Sequence, residues 1–257
     1  MIDALLRDLS SLPQVQAIAL GGSRAGDVFD AASDYDVYLY CTAPFPKEER
    51  RAILSRYCTV MELGNHFWEY EDNCILQNGI PIDILYRNLT DFTHGVAAVV
   101  EQYQASNGYT TCMWHNLLTC RILYDRDDLL TAAKARFDVP YPPQLRQNII
   151  ERNMRLLSDA LPAYQLQLAK AIHRGDQVSI GHRTAAFMES YFDILFALNS
   201  LTHPGEKRLV SLCKERCTLL PERFEENIQQ LYADLFTHPD KAEEDIDRIV
   251  QALKRIL

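Results

Sequence analysis

Apolar positions recur at helical spacing over residues 2–9, and Pro13 closes that segment. An unbroken apolar run, Val15–Leu20, follows and predicts a buried strand leading into Gly21-Gly22. Residues 35–41 predict a second strand, with Val37 and Leu39 on the face opposite Asp36 and free to pack on helices. Pro44 and Pro46 break the chain, 48–57 has helical period, and 66–70 and 73–77 are strand-like. Asn78-Gly79, ahead of the apolar run 80–86, predicts a hairpin. Helical period returns over 92–104, 110–120 and 127–137.

Val139-Pro140-Tyr141-Pro142-Pro143 places three prolines within four positions, which stiffens the chain, excludes helix and marks a domain boundary. Beyond it, 145–161, 163–174, 178–201, 208–220, 223–236 and 242–257 all have helical period. Gly175-Asp176, His203-Pro204-Gly205 and His238-Pro239 supply the breaks. The expectation is an α+β chain: a small mixed β-sheet domain over 1–139, then a C-terminal helical bundle domain over 140–257. No internal repeat or low-complexity tract is visible.

Composition narrows this picture. The 257 residues, 47% hydrophobic and 24% charged, are those of an ordinary globular protein, and no apolar run is long enough to span a bilayer. The first residues read as an amphipathic helix without a basic leader or cleavage site, so a cytoplasmic location is expected. Seven scattered cysteines without a Cys-x-x-Cys pair suit reduced thiols better than a disulfide framework. Cys213 and Cys217 share a helix face, and with no further ligand set nearby they read as core packing rather than zinc. The net charge of −9 disfavours a nucleic-acid backbone as partner and leans toward a small or cationic molecule. No membrane partner is expected, and the oligomeric state, monomer or homodimer, stays open.

The candidate chemistry lies around the second strand. Asp34 and Asp36, two residues apart, project from one strand face, and their repulsion is tolerable when cations neutralise it. Hard oxygen ligands that leave room for water and phosphates suit Mg²⁺. Asp83 is the only charge in the run 80–86 and would complete a three-carboxylate cluster able to hold two ions for an in-line phosphoryl displacement. Gly22 and Ser23, at a predicted helix N-terminus, offer N–H groups and a hydroxyl to triphosphate oxygens. Arg24 would donate to a phosphate or brace the aspartates.

In the helical half, Lys207 would reach the β- and γ-phosphates as a point charge, with a solvated lysine as the plain alternative. His182 and Glu189, seven apart on one predicted helix, share a face, and Glu189 could act as general base toward an acceptor hydroxyl. Trp68, between His66 and Glu69, could stack on a base, and Trp114 raises the same question; structural packing is the commoner role for both. Tyr35, Tyr38 and Tyr40 follow strand propensity.

In this order and spacing, Gly22, Ser23, Asp34, Asp36 and Asp83 resemble the signature of the polymerase-β-like nucleotidyltransferase superfamily. The strings Gly-Gly-Ser-Arg-Ala-Gly and Ala-Ser-Asp-Tyr-Asp are most similar to its small bacterial members, which include aminoglycoside and lincosamide nucleotidyltransferases. The match covers about the first ninety residues well and the helical remainder more loosely. The resemblance implies a Mg²⁺-dependent transfer of a nucleoside monophosphate, AMP from ATP, to a hydroxyl of a small-molecule acceptor, with pyrophosphate released. It also implies a helical domain that closes over the nucleotide with a lysine, and an antibiotic-resistance role where the acceptor is an aminoglycoside- or lincosamide-like compound. A protein-modifying (AMPylating) enzyme and a non-catalytic nucleotide-binding or antitoxin-like module remain the alternatives. A degenerate module would usually have lost a carboxylate, and all three are present.

Overall fold

The computed structural model describes residues 1–25, 33–43, 45–67 and 69–257, and all of Ser23 except its side chain. Pro44, Trp68, and the Gly26 and Ala32 of the motif strings lie outside the described residues. Two compact units are present, Met1–Ala97 with Asn116–Val139, and Ala98–His115 with Pro140–Leu257.

The first unit carries α1 (Ile2–Ser10), β1 (Val15–Leu20), a single turn α2 (Gly22–Ala25), β2 (Tyr35–Cys41), α3 (Lys47–Leu54), β3 (Cys58–Asn65), β4 (Glu71–Leu76) and β5 (Pro81–Arg87). After the start of α4 (Leu89–Val100) and the end of α5 (Cys112–Thr119), it closes with β6 (Arg121–Asp125) and α6 (Leu129–Phe137). Its six strands form one sheet in the order β3-β4-β5-β2-β1-β6. β2 and β5 pair in parallel and every other pair is antiparallel. The β3–β4 hairpin makes the parallel pair possible, because it takes up the reversal between β2 and β5. Leu5 and Leu9 of α1 and Leu54 of α3 are fully buried with Ile18, Val37, Leu39 and Ile84 of the sheet. Each such side chain stabilises the fold by about 1.5–3 kcal/mol.

A buried ion pair ties these layers together. Asp72 accepts from Arg50 Nε at 2.8 Å and Nη2 at 3.2 Å, from the Gly64 N–H at 2.7 Å and from the Tyr86 hydroxyl at 2.8 Å. Both charged side chains are almost wholly buried, so this saturation of the carboxylate is what makes their burial tolerable.

The local reading of the sequence fails in three places. The edge strand β3 covers 58–65, whereas the aromatic stretch 66–70 is outside any strand at its described residues. The helix expected over 92–104 stops at Val100, and Tyr103 takes a left-handed φ of 58°. The helix expected over 110–120 is present as Cys112–Thr119, but Arg121–Asp125, where no element is expected, joins the sheet as β6.

The second unit contains α7 (Pro143–Met154), which runs into a π-helical turn (Arg155–Asp159), then α8 (Tyr164–Arg174), α9 (Gln177–Leu198), α10 (Leu209–Arg216), α11 (Phe224–Asp234) and α12 (Pro239–Lys254). Phe187, Ile194 and Leu195 of α9 are completely buried among the other helices, which explains its near-continuous apolar second half. Residues 98–115 pack here because polar side chains of α7 and α9 hold their backbone. Asn148 donates to the Tyr103 carbonyl (2.8 Å), Asn153 to the Ser106 carbonyl (3.2 Å), and Asp193 accepts from the Thr110 N–H (3.1 Å) and hydroxyl (2.7 Å). Gly108 passes so close to α9 that a Cβ would lie 2.9 Å from Glu189 Cβ, and its φ of +80° also requires glycine. No helix among the described residues is long and apolar enough to cross a membrane.

Candidate active site and metal centre

The parallel pairing of β2 with β5 sets Asp36 directly opposite Asp83. Asp34 lies two residues ahead of Asp36, at the entrance to β2. The three carboxylates offer oxygen atoms that all lie within 4.8 Å of one another, and each side chain is half-buried. Sequence separation therefore hides a cluster that strand register assembles, and register is enforced by the apolar residues on the other face of the same strands.

The glycine turn is shaped around this cluster. The Gly21 N–H donates to the Asp36 carbonyl at 2.8 Å, and Gly22 has φ +58°. A Cβ on Gly22 would sit 1.8 Å from Asp36 Oδ2, and one on Gly21 would overlap the Tyr38 ring at 2.2 Å. The turn is thus pressed onto the carboxylate face as only glycine permits. The Ser23 hydroxyl lies outside the described atoms. Arg24 is buried; its Nε donates to the Ser33 carbonyl at 2.7 Å and its guanidinium lies 4.1 Å from the centre of the Tyr35 ring. It clasps the chain on either side of Asp34.

Sequence reading missed the groups behind the aspartates. Asn73, the cross-strand neighbour of Asp83 on β4, donates its Nδ2 to Asp83 Oδ1 at 2.8 Å. Asn65 on β3 donates in turn to Asn73 Oδ1 at 2.7 Å. This relay fixes one oxygen of Asp83. Beneath the glycine turn, buried Arg87 forms a two-pronged pair with Glu69 at 2.6 and 2.8 Å, and donates to Asn116 Oδ1 at 2.9 Å. Asn116 Nδ2 donates to the Tyr38 hydroxyl at 2.6 Å. Burial pushes the Tyr38 phenol up, against the opposing pull of Arg87, so it stays protonated behind the cluster. Glu71 is also pushed up, first by burial and then by the charge of Asp83. The only available signal in the sequence was an amide or a basic residue in an otherwise strand-like run.

The residues fit a divalent cation. Three half-buried carboxylates converge, with cationic Arg24 and Arg87 both committed to other partners. Hard oxygen donors in this arrangement suit Mg²⁺ by their chemistry.

The second unit holds the other candidates. Glu189 and His182 lie on α9, half-buried and exposed respectively, and Lys207 is exposed ahead of α10. Burial raises the Glu189 carboxyl, the charge of Glu206 adds to this, and His182 opposes it. Tyr109 is pushed up to about 12 by burial and then by Glu189 and Glu206, so phenol and both carboxylates share one neighbourhood. Next to Tyr109 the imidazole of His203 is fully buried, held down to about 3 by burial and then by His115. The Gly205 N–H donates to its Nδ1 at 3.2 Å, which leaves Nε2 as the protonated nitrogen, without an acceptor among the described residues. Trp114 is buried against Tyr141, with ring centres 5.4 Å apart, in a packing role.

A family profile described as a domain of unknown function (DUF4037) matches residues 109–208. That stretch holds Tyr109, His182, Glu189, His203 and Lys207 but none of the three aspartates. No curated protein matches the chain. Among solved structures, the chain is similar to a nucleotidyltransferase-like protein from Exiguobacterium sibiricum, at 11% identity and a TM-score of 0.43, over 99% of this chain and 72% of that one. It is also similar to an aminoglycoside 6-adenyltransferase from Bacillus subtilis (9% identity, TM-score 0.30, 99% and 89% of the two chains). A third is a spectinomycin adenyltransferase from Enterococcus faecialis with ATP and spectinomycin (13% identity, TM-score 0.33, 98% and 96%).

Proposed function

We propose that this protein is a Mg²⁺-dependent nucleotidyltransferase that moves AMP from ATP to a hydroxyl of a small cationic acceptor and releases pyrophosphate. The observation that carries this reading is the convergence of Asp34, Asp36 and Asp83 within 4.8 Å beside a glycine turn that tolerates no side chain. Asp34 and Asp36 would hold two Mg²⁺ ions, with Asp83 on the one nearer the attacking oxygen. Bound there, the ions would neutralise phosphate charge and lower the pKa of a coordinated hydroxyl.

The chain's own groups do the rest. Gly22 and Ser23 would present N–H groups and a hydroxyl to the triphosphate, and Arg24 would keep Asp34 in place through Ser33 and Tyr35. Asn73 leaves the second oxygen of Asp83 available while holding the first. The acceptor oxygen would form a bond to the α-phosphorus as the α–β bridging P–O bond breaks, with the hydroxyl proton passing to the carboxylate of Asp83. Rate enhancement of this kind comes mainly from positioning and charge neutralisation. The net charge of −9 favours an aminated, hydroxylated acceptor of the aminoglycoside or lincosamide kind.

Pyrophosphate release from each of the four NTPs, across a panel of aminated and neutral polyols, tests the proposal. Release that needs Mg²⁺, ATP and an aminated acceptor, and that disappears in Asp36→Asn, is expected. Absence of release with every NTP and acceptor would leave the nucleotide-binding module as the better reading.

A further inference from the structure

In the second unit, α7 and the π-helical turn that follows it flank an open cavity of about 680 Å³, within the size range of small-molecule sites. Arg152 and Arg155 line it from one side and the strained loop residue Tyr103 from the other. Among the described residues the Arg152 guanidinium engages only through its Nε, on Asn107 Oδ1 at 2.9 Å, and the Arg155 side chain makes no hydrogen bond or ion pair. The one carboxylate in the lining, Glu151, already accepts from Gln147 Nε2 at 2.7 Å. The cavity is therefore locally cationic in a chain whose net charge is −9.

Two backbone irregularities build its walls. Tyr103 has φ 58°, a conformation that costs a non-glycine residue free energy and persists because Asn148 grips its carbonyl at 2.8 Å. The turn Arg155–Asp159 is π-helical, a rare departure frequent at functional sites, and Arg155 is its first residue. Leu161, 87% exposed, gives the rim an apolar patch.

We propose that this cavity binds a phosphorylated ligand carrying a planar ring, of the nucleoside monophosphate class. Planar guanidiniums with free N–H edges match phosphate oxygens two at a time. A tyrosine ring and an exposed leucine suit the face of a base, and the Asn107 amide can reach its polar edge. The site does not rest on the chemistry assigned to the aspartates, none of which lies in this unit.

The test is calorimetric titration of AMP, adenosine and inorganic phosphate into the full chain in EDTA, so that no divalent ion is available. Wild type, Asp36→Asn, Arg155→Gln and the double variant Arg152→Gln/Arg155→Gln are compared. Saturable AMP binding is expected, about tenfold or more tighter than adenosine or phosphate and unchanged in Asp36→Asn. It should weaken by about tenfold in Arg155→Gln and further in the double variant, as loss of charge-assisted phosphate contacts implies. The Arg155 side chain has no hydrogen-bond or ion-pair partner among the described residues, so circular dichroism of Arg155→Gln should match wild type. The proposal is overturned by absent AMP binding, by binding that survives the double variant, by loss in Asp36→Asn, or by phosphate or adenosine binding as tightly as AMP.

Discussion

Replacing Gly22 by alanine probes the shape of the site with one methyl group. The residue has φ +58°, where an L-residue loses roughly 1–2 kcal/mol relative to glycine. The added Cβ would lie 1.8 Å from Asp36 Oδ2, well inside contact distance, so the carboxylate must swing out of its rotamer for a further ~0.5–1.5 kcal/mol. Together these imply a loss of about 2–3 kcal/mol and a first-unit melting transition several degrees lower. Displacing Asp36 also breaks its convergence with Asp83, so Mg²⁺-dependent stabilisation should fall away along with turnover. Differential scanning calorimetry with and without Mg²⁺ reads both effects. Gly95→Ala serves as control: this glycine is inside α4, a Cβ there meets nothing within 4 Å, and the change should be neutral or slightly stabilising. A Gly22→Ala protein as stable and as Mg²⁺-responsive as wild type would refute the claim that the turn is moulded onto the carboxylate.

Asn73→Ala should leave the fold intact and weaken divalent-cation affinity by about tenfold or more, since it removes the amide that orients Asp83; unchanged affinity in a Mn²⁺ titration would count against the relay. Asp193 gives a pH prediction in the second unit. Burial raises its carboxyl to about 6, against the opposing hydrogen bonds from Thr110 and Asn153. The folded state then binds the extra proton between about pH 4 and 6, so stability is highest below that window and declines as pH rises through it, by roughly 3 kcal/mol in all. Urea unfolding of wild type and Asp193→Asn across that range should show the slope in the first and its loss in the second; parallel slopes would contradict the assignment.

The sequence reading succeeded where one physical signal dominated. Val15–Leu20 and Tyr35–Cys41 have the bounds expected of them, because continuous or alternating apolar residues flanked by glycine and aspartate leave little competition. The Asn78-Gly79 hairpin formed as its turn chemistry required, with Gly79 donating to the Leu76 carbonyl at 2.8 Å. β3 escaped notice because it is an edge strand with register shifts near both ends, which scramble the alternation of Thr59, Val60 and Glu62. The aromatic stretch beyond it looked more strand-like than it is, since the rings of His66 and Tyr70 pack against each other at a tilt, with centres 4.8 Å apart, rather than along a ladder. The three aspartates were legible from spacing, whereas Asn73, Asn65 and the Arg87–Glu69 pair were not. Their roles depend on cross-strand register and burial, which are products of tertiary structure. Tyr109 and His203 were hidden likewise, since only the lacing of 103–110 onto α7 and α9 brings them together.

The central claim is that Asp34, Asp36 and Asp83 form one divalent-cation site. Mn²⁺ titration followed by electron paramagnetic resonance measures this without substrate or acceptor. The account predicts saturable Mn²⁺ binding by wild type, displaced by Mg²⁺ and lost in both Asp36→Asn and Asp83→Asn, two substitutions 47 residues apart in sequence that meet across the β2–β5 pair. Mn²⁺ binding that persists in either variant, or that never saturates in wild type, would contradict it.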